Sequence, residues 1–137
     1  MILMKRKDIT QMHFTMTLQK MAQQPFTSKT SYRWKKMLDA VNAAKKKVST
    51  EYINQIAKVH GVVDGENAAP DDNEYGFKLK EDVDADVVKK ESDAFGEADV
   101  EIDRDPLTLA DFEDMKVTPA ELSALGAVVS DQEPILR

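Results

Sequence analysis

This 137-residue chain has no cysteine, which excludes disulfides, thiolate nucleophiles and thiolate-held metals together and suits a reducing cytoplasm. Aromatic residues are few at 7% while charged residues reach 32%, a balance that favours extended or assembly-dependent parts alongside a modest core. No long apolar run opens the chain. Met1-Ile2-Leu3-Met4 is too short for a signal peptide or a membrane span, so a soluble protein is expected, with no membrane partner. Phosphate-binding glycine loops, paired metal-binding histidines and a nucleophile elbow are all missing, so neither an enzyme nor a cofactor is expected.

What the chain does have is charge sorted by position. Residues 1 to 60 hold 12 Lys/Arg against 3 Asp/Glu, a net of +9, whereas residues 61 to 137 hold 7 against 22, a net of −15. A one-sign surface attracts its complement, and a molecule carrying both signs can dock head to tail on its own copies.

The spacing of apolar residues predicts a mainly α chain with a small antiparallel β-sheet, an α+β single domain over 1–137. Residues 2 to 7 read as a strand. Asp8 stands at an N-cap position before a helix from Ile9 to Gln23, with Ile9, Met12 and Met16 on one face and Phe14, Leu18 and Met21 on another. Thr27 and Ser28 offer a second cap. From there Trp34, Met37, Leu38, Val41, Ala44, Val48, Tyr52, Ile56 and Val59 keep helical spacing until Gly61, as one long central helix or as a helical hairpin restarted at Ser49-Thr50.

Residues 61–76 combine glycine, proline and dense acid and read as an exposed acidic loop. Phe77 to Lys80 alternates like a short strand, and Val83, Val87, Val88 and Phe95 mark a helix bounded by Gly96. Val100 and Ile102 alternate with acids over 99–103, a strand suited by charge to pair with the basic strand at 2–7. Thr118-Pro119-Ala120-Glu121 has the cap, first-turn proline and reach-back glutamate of a helix start. That helix is predicted to run to about Val129, with Leu122, Leu125 and Val129 buried, before a 130–137 C-terminal tail.

Asp82, Asp84 and Asp86 alternate like the first ligands of a calcium loop, but Val87 and Asp93 stand where glycine and glutamate are required, so the acids read as a helix start. His13 is expected half-buried beside Met12 and Met16, and His60 near a helix C-terminus. The candidate partner-binding residues are Lys29, Tyr32, Arg33, Trp34, Lys35 and Lys36, with the apolar pair Ile135 and Leu136 in the tail. Together with Lys45, Lys46 and Lys47, the first six could track a phosphate backbone with aromatic support, although 22 carboxylates in the other half disfavour nucleic acid.

The order of Lys5-Arg6-Lys7-Asp8-Ile9 after a short strand, a helical middle, Asp99-Val100-Glu101-Ile102-Asp103 and Thr118-Pro119-Ala120-Glu121-Leu122 resembles a group of small proteins encoded by tailed bacteriophages. None of these motifs is catalytic, and the middle region is shorter than in the group. The resemblance implies a phage origin. With the charge asymmetry, it leads to the expectation of a minor structural protein that bridges larger phage structural proteins at the head-to-tail connector or tail. It would act as a homo-oligomer or ring of copies in the virion, after a stay in the host cytoplasm. The alternative is a nucleic-acid-associated or host-directed regulatory protein using the basic half.

Overall fold

The computed structural model describes residues 1–113 and 115–130. Strand β1, Ile2–Lys5, pairs antiparallel with β4, Asp99–Ile102, in the register Ile2↔Ile102, Leu3↔Glu101, Met4↔Val100 and Lys5↔Asp99. Alternation explains the register. Ile2, Met4, Val100 and Ile102 all fall on the inner face and are buried, so a one-residue slip of either strand would turn its two apolar side chains to water.

The expected helix from Ile9 to Gln23 is instead two pieces, α1 at Arg6–Ile9 and α2 at Met12–Ala22, and the residue preceding α2 is Gln11 rather than Asp8. Thr10 Oγ1 donates back to the carbonyls of Arg6 and Lys7, each at 3.2 Å, and Gln11 then adopts extended backbone, so the turn closes before a longer helix can propagate. Ile9 is thereby separated from the Met12–Met16 stripe. Ile9, Phe14, Leu18 and Met21 are buried, while Met12 and Met16 are exposed, so only one of the two expected stripes meets the core. His13 is likewise exposed rather than half-buried.

Helix α3, Ser28–Tyr52, continues through a π-helical turn at Ile53–Ala57 into α4, Lys58–His60. The long helix is thus unbroken at Ser49-Thr50, whose exposed side chains leave the helical backbone bonds intact, and at ~1.5 Å per residue it spans about 50 Å. Thr27 caps its start by accepting from the amide of Thr30. Trp34, Met37, Val41, Ala44 and Val48 form its buried stripe, at intervals of three and four. The spine ends at Gly61 for want of space. A Cβ there would stand 2.4 Å from the Ala57 carbonyl oxygen and 2.6 Å from the Phe77 ring.

The expected acidic loop is a hairpin. β2, Val63–Asp64, and β3, Asn67–Ala68, are joined by a tight turn in which Gly65 takes φ +67, a conformation that glycine enters at low cost. Gly61 bridges to Leu79 and Pro70 to Phe77, so the acidic segment lies against the C-terminal end of the long helix. Helix α5, Ala85–Glu97, is capped by the Asp84 carboxylate and runs through Gly96 rather than stopping there. A 3₁₀ turn, Leu109–Phe112, packs on α3, and α6, Pro119–Ala124, gives way to a second 3₁₀ turn at Gly126–Val128. The predicted Thr118–Glu121 capping box is present, but the last helix is shorter than expected. None of its own residues is buried: Leu125 at its C-cap and Val128 in the following turn are, whereas Val129 is half-buried and Leu122 exposed.

Candidate functional site

The charge that is segregated in sequence is partly recombined in space. The Met1 amine reaches Asp105 at 3.7 Å, Lys5 and Lys7 both hold Glu97, Lys20 reaches Glu121 at 3.1 Å, and Arg33 reaches Asp111 at 2.9 Å. His60 Nε2 also contacts the Glu91 carboxylate. Each of these joins the basic half to the acidic half. The bonds from Lys5 and Lys7 hold the Glu97 carboxyl down to about 2, and the same contact raises Lys5. Backbone and side-chain donors at Thr118, with Lys20, lower Glu121, and the Thr27 hydroxyl lowers Glu113.

Of the six sequence-predicted partner residues on α3, Trp34 is in the core at 0% exposure and is removed from the candidate surface. Its ring stacks on Phe26 at 5.7 Å and meets Phe112 edge-on at 5.3 Å. Arg33 leans inward onto Asp111, itself 3% exposed, and Lys35 pairs along the helix with Asp39 at 2.9 Å, which raises the lysine. Tyr32 is 58% exposed, with the Lys36 ammonium 5.2 Å from its ring. Lys29 is exposed and, like Lys45, Lys46 and Lys47, has no polar partner among the described residues. Ile135 and Leu136 lie outside the described residues.

Formal charge nonetheless stays sorted along the long helix. Residues 28–50 carry a net of +6, whereas residues 58–86, gathered around its C-terminal end, carry a net of −6.

A cleft of about 600 Å³ opens beside the π-helical turn, between α1, the long helix, the acidic hairpin and α5. Tyr52 forms its centre, meeting Phe95 at 5.5 Å and Phe77 at 6.3 Å and donating its hydroxyl to the Tyr75 carbonyl at 3.1 Å. Arg6 lies over the Phe95 ring at 4.2 Å, with Nη2 bound to Glu51 at 2.9 Å. Its Nε is buried without a hydrogen-bond partner. The hydroxyl of Ser92 lies beside the Tyr52 phenol, where burial raises the phenol and the Ser92 hydrogen bond partly offsets that rise. The cleft draws residues from four distant segments, which hid it from sequence reasoning; the spacing Tyr52, Phe77, Phe95 carries no motif.

Among the described residues, no group of three or more His, Asp or Glu could hold a metal ion, and no helix is long and apolar enough to cross a membrane. Compared with known proteins, the chain matches no family model, no curated protein and no solved structure. Its function is therefore argued from its own surfaces.

Proposed function

We propose that this chain is a non-enzymatic structural adaptor of a tailed-phage particle, present as a repeated copy that bridges larger proteins at the connector or tail. The observation that carries this reading is the separation of formal charge, +6 over residues 28–50 of the long helix and −6 over residues 58–86 at its C-terminal end, of which the Arg33–Asp111 pair offsets one positive charge. Opposite charge at two ends is a heterologous pair of surfaces: one end fits the other end of the next copy, and the contacts close a ring or extend a stack according to the angle between them. Screening by salt, with a reach of ~10 Å at 0.1 M, makes the contact testable. Sedimentation of the full chain should show concentration-dependent association at low salt that is lost at high salt, and mass spectrometry of purified particles should find the chain. Salt-independent monomers, or absence from particles, would reject the reading.

A further inference from the structure

The aromatic cleft has features that a merely structural groove does not need. Its wall holds a buried donor without an acceptor, Arg6 Nε, while the guanidinium's charge is already matched by Glu51 through Nη2. With Arg6 matched by Glu51, the site asks for an uncharged acceptor on an apolar body, since a buried donor left unpaired is a standing cost that a fitting acceptor removes. Its outer rim is the acidic segment, with Glu74 lining the opening and Asp71 and Asp72 exposed beside it.

One described side chain meets both requirements. Tyr32 is the most exposed aromatic residue, it offers a phenol oxygen that can accept a hydrogen bond, and it stands between Lys29 and Lys36 on the basic stretch. We infer that the cleft receives Tyr32 of a second copy, its ring among Tyr52, Phe77 and Phe95 and its hydroxyl oxygen accepting from Arg6 Nε, while Lys29 and Lys36 meet the acidic rim. This rests on the head-to-tail reading above and names the contact that reading requires. Aromatic rings favour such offset and edge-on company, and a cleft of this volume admits one ring with its stem.

The test uses the full-length chain and two variants, Tyr32→Ala, which removes the knob, and Ser49→Trp, which places a large ring at an exposed position lining the cleft. Both sites face solvent, and unchanged circular dichroism would establish that both variants fold. Each alone is expected to associate at least tenfold more weakly than wild type in low-salt sedimentation. Mixed in equal amounts they should form a heterodimer and nothing larger, because only one intact knob and one intact cleft remain. Tyr32→Phe, keeping the ring without the acceptor, should fall between wild type and Tyr32→Ala. Wild-type-like, salt-sensitive association of Tyr32→Ala would overturn this contact and leave charge-driven assembly standing. A wild-type chain monomeric at low salt would overturn both.

Discussion

The indole Nε1 of Trp34 donates a 2.7 Å hydrogen bond to the backbone carbonyl of Asp111, and Trp34's neighbour Arg33 binds the carboxylate of that same aspartate. Asp111 in turn accepts from the Thr108 amide at 2.8 Å, so one buried acid locks the 3₁₀ turn Leu109–Phe112 onto the long helix. Replacing Trp34 with Phe would keep an aromatic ring but orphan the Asp111 carbonyl. A loss of about 1–3 kcal/mol is expected for that unpaired group, read from urea unfolding monitored by circular dichroism.

Glu97 clamps the end of α5 to the first strand and helix through Lys5 and Lys7. Its folded-state value, about 2, lies below the ordinary 4.5, so the contact contributes fully above pH 4.5 and is lost as pH falls toward 2. Glu97→Gln should therefore be less stable than wild type at pH 6, with the difference vanishing near pH 2. A gap that stays constant across this range would show that the carboxylate's charge is irrelevant.

Gly61 at the end of the long helix and Gly65 in the hairpin turn are needed for different reasons, and substitution separates them. Gly61→Ala collides with backbone at 2.4 Å and with the Phe77 ring, so the overpacking cost is expected at about 1–3 kcal/mol or more. Gly65→Ala meets open space and bears only the cost of its positive φ, about 1–2 kcal/mol. Melting curves should rank Gly61→Ala as the more damaging, and only that change should perturb the Tyr52–Phe77 contact seen in near-ultraviolet circular dichroism.

Thr118→Ala removes the acceptor of the 3.1 Å bond from the Glu121 amide and one side of the capping box. A loss of about 0.5–2 kcal/mol is expected, with hydrogen exchange accelerated first over α6. Equal acceleration throughout the chain would instead show that α6 is not a separable unit.

Much of this architecture was legible where two signals agreed. The β1–β4 pair combined strict alternation with opposite charges, and Thr118 to Glu121 combined cap, proline and glutamate within four residues. The long helix showed itself in its intervals of three and four. Those same intervals include Trp34 and omit Tyr32, so the burial of one and exposure of the other could have been read from spacing had the basic composition not drawn attention first. On α2 two apolar stripes competed, and only packing decides that Phe14, Leu18 and Met21 face inward while Met12 and Met16 do not. Composition also concealed the hairpin, because the acids that suggest a loop hide the Asp64-Gly65 turn. Arg6 and Phe95 were invisible as a site because their significance arises only when α1 and α5 meet.

The pairing of Ile2 with Ile102 carries a temporal consequence. A chain emerging at ~5–20 residues per second delivers β4 only seconds after β1, whereas a helix relaxes in about a microsecond. The 28–60 segment can thus become helical while the first strand still has no partner. For that interval Ile2, Met4 and the open backbone edge between them are available to other chains, and a chaperone or a fellow nascent copy would meet the molecule first at this strand.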